Sequence, residues 1–237
     1  MKQQLIKENI DLNTVKSFFD IDGTIQVTND GLVVDGDIEN KLNRSIKTLP
    51  FKFSKVSGRF TAENCKLENL ENFPEYAYSI LVIDNPINTF KGGDNIKCEY
   101  FNASNTKIQN LKHCPTAADY HFSECEYLTS TVGLPMTKFE FIELSNCKSL
   151  RDISNLTEFV GKSFSSTSHI SWNPYLPLVK LVLLNKTPGY IPFLIDFENA
   201  PKKLTSIIGD FYGKGWSNAL EFVRALTDAG FRDNAKL

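Results

Sequence analysis

A segment of about 21 residues recurs along most of this chain, and that period constrains the fold more than any single motif. The octets are FTAENCKL (60–67), LVIDNPIN (81–88), FNASNTKI (101–108), YHFSECEY (120–127), IELSNCKS (142–149) and FSSTSHIS (164–171). Each opens on an apolar or aromatic residue, usually with a second buried-type residue two positions on. A Cys, Pro, Thr, Cys, Cys or His follows five after the start. The starts at Phe60, Leu81, Phe101, Tyr120, Ile142 and Phe164 are spaced by 21, 20, 19, 22 and 22 residues. A weaker seventh unit begins at Ile38, with Asn43 in the same column.

The spacing and the frame LxLxx(N/C)xL are the marks of a leucine-rich repeat. One such unit cannot bury its apolar stripe alone; stacking builds a continuous core, with strands about 4.8 Å apart in a parallel sheet. The start and the residue two on then point inward. The fifth-position column turns off the strand, where a small polar side chain hydrogen-bonds backbone groups that burial would otherwise orphan. Cys65, Cys125 and Cys147 fall in that column with Thr106 and Asn43. Pro86 and His169 fit it poorly, so the second and last strong units are expected to be distorted. The return segments LENLENFP, IQNLKHCP, LTSTVGLP and SIKTLP add apolar positions and often end in Pro.

A stacked array needs closed ends. TIQVTNDGLVVDGDI (24–38) alternates apolar residues on both sides of Asn29-Asp30-Gly31, a β-hairpin signal, and NIDLNTVKSFF before it suits a short turn or helix. LPLVKLVLLNKTP (176–188) reads as one more strand-like unit. Helical periodicity follows in PFLIDFENA (192–200), KLTSIIGDFY (203–212) and WSNALEFVRALTDAGF (216–231). In the last helix Ser217 is the expected N-cap, Leu220, Val223 and Leu226 the apolar stripe, and Gly230 the left-handed stop. The expected fold is α/β: a leucine-rich-repeat-like solenoid with short parallel strands. Residues 1–37 form an N-terminal capping hairpin, 38–187 an array of about seven units, and 188–237 a helical C-terminal cap.

Composition narrows the function. With 26 basic and 28 acidic residues the chain lacks the basic face of a nucleic-acid binder. No apolar run is long enough for a membrane span, and MKQQLIKENIDLN lacks the apolar stretch of a secretory signal, so a mature chain starting at Met1 and remaining in a cytosol is expected. Five cysteines without a CxxC pair fit a reducing compartment. Neither the cysteines nor His113, His121 and His169 assemble a zinc set, and no cofactor is expected.

One motif points elsewhere. FFDIDGT (18–24) looks like the first motif of a haloacid-dehalogenase-type phosphatase, with Asp20 as nucleophile, Asp22 as acid/base and Mg²⁺ held by carboxylates. Such an enzyme needs alternating strands and helices where residues 38–187 carry the repeat, and no second carboxylate follows Asp210 at the spacing a fourth motif requires. The expected reading is a polar turn, with Gly23 giving backbone freedom before the hairpin.

The alternation places a candidate binding face. Ile80, Val82, Tyr100 and Phe141 are expected as an exposed apolar-aromatic strip on the concave sheet, with Asn102, Asp119, His121 and Glu143 beside them. The outward row of the last unit is Ser163, Ser165 and Thr167. Asp119, His121 and Glu143 could be read as acid/base groups, but an open sheet lacks the dehydrated pocket that catalysis uses.

The whole chain resembles a group of leucine-rich-repeat-like proteins encoded by tailed bacteriophages. The likeness is carried by DGTIQVTNDGLVVDGDI, TLPFKFSKVSGRFTAENCKLENLENFP, LPLVKLVLLNKTPGYIPFLIDFENAP and GKGWSNALEFVRALTDAGFRDNAKL. Members commonly show more regular units resembling FxCxxNxLxSLEGxP, from which the central repeats here depart. The resemblance implies an architecture and a viral setting, and supplies no catalytic residues. The expectation is a non-enzymatic scaffold binding a host protein, including a defence component, or a phage protein. It would act in the cytoplasm of the infected bacterium. A virion or assembly accessory is the alternative, and a Mg-dependent phosphatase the third reading.

Overall fold

In the computed structural model, residues 10–41, 45–135, 139–153, 156, 169–171, 174–184, 195–196 and 200–237 are described. The fold is mixed α/β, dominated by a parallel-strand β-solenoid of about five turns. A short helix, Leu12–Phe18, comes first, its end satisfied by Asp11, whose carboxylate accepts from the Asn13 and Thr14 N–H groups. Strands β1 (Phe19–Thr28) and β2 (Gly31–Asn40) form an antiparallel hairpin turning at Asn29-Asp30. β2 then pairs in parallel with β3 (Phe53–Val56) along its first half and with β4 (Arg59–Thr61) along its second. Three-residue strands continue the sheet: β5 (Ser79–Leu81), β6 (Tyr100–Asn102), β7 (Asp119–His121), β8 (Phe141–Glu143), β9 (His169–Ser171) and the two-residue β10 (Ile195–Asp196).

Register fixes the repeat. Ile38, Phe60, Ile80, Phe101, Tyr120, Ile142 and Ile170 lie side by side across the parallel strands. From Phe60 to Ile142 they recur every 20, 21, 19 and 22 residues, and all seven are buried. The second unit therefore starts at Ile80, not Leu81. The strand of the last strong unit is at 169–171, so His169 belongs to a strand rather than to the turn column; Phe164, Ser163, Ser165 and Thr167 lie outside the described residues, as does Asn43.

Two backbone columns make the turns. Four residues after each start, Asn64, Asp84, Asn105, Glu124 and Asn146 all have positive φ, between 47° and 60°. Four of the five are Asn or Asp, the side chains that best tolerate this left-handed region. A second column, Asn72, Gly92, His113 and Gly133, turns the return segment. At Gly92 and Gly133 a Cβ would press on the backbone of the unit before, at Leu70–Glu71 and Leu111–Lys112, which is why glycine stands there. Isolated parallel bridges linking Lys55, Tyr76, Lys97 and Thr116 run a second ladder ahead of the main strands. Between the ladders the core is aromatic: Phe19, Phe53, Phe60 and Phe73 pack in sequence, and Phe90, Phe101, Phe122, Tyr120 and Phe139 continue it.

Three local expectations are corrected. FFDIDGT is not a turn: Phe18 ends the first helix and the rest is strand, in which Phe19, Ile21 and Ile25 face the core while Asp20, Asp22 and Thr24 face water. Residues 176–184 do not make a strand, because Val179–Leu184 is helical; Leu176, Leu178, Val179, Leu181, Val182 and Leu183 are all buried, so the run carries no one-sided period. Ile195–Asp196, expected in a helix, pairs with Ile170–Ser171 as strand; the rest of 192–199 lies outside the described residues.

The C-terminal helices Lys202–Phe211 and Ala219–Asp228 bury Leu204, Ile208 and Phe211 against Ala219, Phe222 and Leu226, with the Phe211 and Phe222 rings stacked at 4.9 Å. The stripe is turned from the expected one, since Leu220 is 68% exposed. Asn218, not Ser217, occupies the N-cap. Gly230, at φ 92°, ends the helix in a Schellman turn: the Gly230 N–H donates to the Thr227 carbonyl and the Phe231 N–H to the Leu226 carbonyl. Asn234 anchors the terminus, its side chain donating to the Leu176 carbonyl. No helix among the described residues is long and apolar enough to cross a membrane.

Candidate functional site

The turn column behind the sheet is chemically quiet. The Cys65 thiol donates to the Ala62 carbonyl, Cys147 to Phe122, and Cys125 to Ala103, whose carbonyl also accepts from the Thr106 hydroxyl. Burial pushes the Cys65 thiol up to about 11 and the Cys98 thiol up to about 12, and all five cysteines are unbridged. Thiols held protonated and buried are poor nucleophiles. Cys65, Cys125 and Cys147 therefore close turns, while Cys98 and Cys114 are buried outside the column.

The open face of the sheet carries the more reactive groups. Tyr100, Asp119 and Phe141 are in register across β6, β7 and β8, as are Asn102, His121 and Glu143. All six are half-buried, because strand neighbours shield them from both sides. The His121 ring leans on Tyr100, centroids 4.6 Å apart, and on Phe141 at 5.3 Å. Its Nδ1 lies 2.7 Å from Glu143 Oε2, which fixes the ring plane and leaves Nε2 as the other polar atom. That hydrogen bond, helped by the Ser123 and Ser145 hydroxyls, holds the Glu143 carboxyl down at about 2 against the opposing effect of burial. Asn102 serves its own strand, accepting from the Ser104 N–H and donating to the Tyr100 hydroxyl.

Ile80 and Val82 do not belong to this face. Both are fully buried, since a start at Ile80 rather than Leu81 turns every side chain of that unit over. Leu81 and Ile83 take the outward positions and are half-buried.

Beside the strip runs a groove of about 810 Å³ whose lining includes Tyr76, Tyr78, Tyr100, Glu99, Asp119 and Glu140. Tyr78, Glu99, Ala118 and Glu140 stand two residues before their strand starts, where strict alternation would bury them. A corner turns them outward. The Tyr78 carbonyl accepts from both the Glu99 and Tyr100 N–H groups, Glu99 from Ala118 and Asp119, and Ala118 from Glu140 and Phe141. Alternation alone misses this corner; the signal available in the sequence was the solvent-seeking Glu at that position in two units. The Asp119 carboxyl is pushed up by its partial burial and by Glu140 and Glu99, with His121 opposing.

Asp20 and Asp22 sit apart from this face's centre, on β1, which pairs with the antiparallel β2. The Asp20 side chain is 74% exposed and pairs with Lys41 at 3.2 Å. A dehalogenase nucleophile stands instead at the end of a buried parallel strand. Among the described residues no three His, Cys, Asp or Glu side chains are placed to hold a metal ion. No protein-family model, no curated protein and no solved structure matches the chain.

Proposed function

We propose that this chain is a non-enzymatic interaction scaffold that binds a protein partner through the open face of its sheet. The observation that carries the reading is the Tyr100–His121–Phe141 row, three partly exposed rings in tilted contact on adjacent strands, fixed by the bond from His121 to Glu143. Rigid aromatic rings on a stiff sheet lose little entropy on docking, which suits an interface anchor. The parallel solenoid with its recurring turn column supports a leucine-rich-repeat-like assignment in which the hairpin and the C-terminal helices act as caps. The phage resemblance adds the setting: a host or phage protein as partner, met in the cytoplasm of the infected bacterium.

A second docking surface is favoured by one observation, the exposure of Trp216 (45%) and Leu220 (68%) on the C-terminal helical layer. The test is affinity capture from infected cells with the tagged full chain and its Tyr100→Asp, Phe141→Asp double variant. Loss of the captured partner by a folded double variant supports the sheet face; retention moves the site to the helices.

A further inference from the structure

We infer that the groove beside the aromatic strip receives an arginine-bearing segment of the protein partner, in extended conformation across the strands. This rests on the scaffold reading and specifies what the scaffold recognises. The walls are aromatic and wet: Tyr78 is 58% exposed and Tyr76 39%, with Tyr100 between the groove and the strip. The Tyr76 ring already has a cation over it, Lys55 Nζ at 5.8 Å from the centroid, which leaves Tyr78 and Tyr100 as the rings open to a guest cation. The floor is low because the corner column has no long side chain at Gly58 or Ala118. Glu99 and Glu140 flank Ala118 from the units on either side, and Asp119 follows it as the first residue of β7.

Charge selects the occupant. No described residue forms an ion pair with Glu99, Asp119 or Glu140: Arg59, in the groove's lining, has its backbone N–H bonded to Asp37, and Lys55 lies over the Tyr76 ring. Glu99 and Glu140 are two strand spacings apart, about 10 Å, which is too wide for one metal ion and spans about three residues of extended peptide. A guanidinium fits both features: its planar fork matches a carboxylate and its flat face stacks on tyrosine, whereas an ammonium offers a point charge alone. Arginines two or three residues apart would reach both glutamates while their stems lie along Tyr78 and Tyr100.

The probe is a fluorescein-labelled octa-arginine peptide titrated against the full chain by anisotropy, beside octa-lysine, at about 50 mM and about 300 mM salt. Saturable binding is expected, tighter for arginine than lysine and weaker at high salt. Glu99→Gln with Glu140→Gln should weaken it about tenfold, Tyr78→Ala about threefold, while Asp20→Asn with Asp22→Asn, an equal charge change elsewhere, leaves it unaltered. All these positions are exposed, and thermal melts confirm folding of each variant. Equal loss in both double variants, or no saturable binding, overturns the inference. If the captured partner still depends on Tyr100 and Phe141 but not on Glu99 and Glu140, the inference fails and the scaffold reading stands. If a partner is captured but depends on neither pair, the sheet face is not the binding surface and the site moves to the helices; if no partner is captured, the scaffold reading itself fails.

Discussion

The side chain of Asn85 is bound to the backbone of Cys65 in the preceding unit: Asn85 Oδ1 accepts from the Cys65 N–H and from the Leu67 N–H, each at 3.0 Å. Its Nδ2 donates to the Ala62 carbonyl at 2.7 Å and to the carbonyls of Val82 and Ile83. One buried carboxamide thus closes its own turn and ties it to its neighbour's. Cys65, Thr106, Cys125 and Cys147, each five residues after its start, do parts of the same work with a single donor.

Asn85→Ala would leave two N–H groups and the Ala62 carbonyl buried without that partner. The expected cost is about 3 kcal/mol in a urea or guanidinium titration. Asn85→Asp should be at least as damaging, since it keeps the acceptor, loses both donors and buries a charge.

Gly23 and Gly36 face each other across the N-terminal hairpin at φ 139° and 137°. A Cβ on Gly36 would strike the Asp22 carbonyl oxygen, and one on Gly23 the Asp35 carbonyl oxygen. Gly36→Ala is therefore expected to open the hairpin locally. Hydrogen exchange should speed up in β1 ahead of β6–β8, and the melting temperature should fall by about 2–4 °C for each kcal/mol lost in a chain of this size.

The cysteine column makes a chemical prediction. With Cys65 pushed up to about 11 and every thiol buried, the native protein should react slowly with a disulfide reagent at about pH 8, and all five cysteines should titrate on unfolding. Fast native reaction of one or more cysteines would show that a turn opens.

The period, the parallel stacking and the turn column were legible because each repeats and errors average out. What failed was local. In the run Ser79-Ile80-Leu81-Val82-Ile83 every residue after the serine is apolar, so alternation could not choose between Ile80 and Leu81. The column should have chosen, because a start at Ile80 places Asn85 where its neighbours have Cys65 and Thr106, and a start at Leu81 places Pro86 there. FSSTSHIS matched by composition with its start at Phe164, six residues before the in-register start at Ile170. In the helix Val179–Leu184, Val179, Leu181, Val182 and Leu183 are all buried, so it has no one-sided period to read. Tyr100, Asp119, His121, Phe141 and Glu143 were placed together correctly because their units register without ambiguity; Tyr78, Glu99 and Glu140 were missed because a backbone corner interrupts the alternation.

Glu143 gives a pH signature. Its folded carboxyl is held at about 2, below its ordinary value of 4.5, chiefly by the His121 hydrogen bond. Stability from a depressed acid is present above the unfolded value and lost as pH falls through the folded one. Wild type should therefore exceed Glu143→Gln by about 1 kcal/mol near pH 7, discounted for the site's partial exposure, with the advantage disappearing between about pH 4.5 and pH 2. A constant difference across that window would contradict the assigned bond.

The sheet face as the binding surface is tested most directly by hydrogen exchange on the purified complex with the captured partner. Slowed exchange is predicted at residues 99–104, 119–123 and 140–145, with no change across Lys202–Phe211 and Ala219–Asp228. Protection confined to those helices, with the strands unchanged, would contradict it.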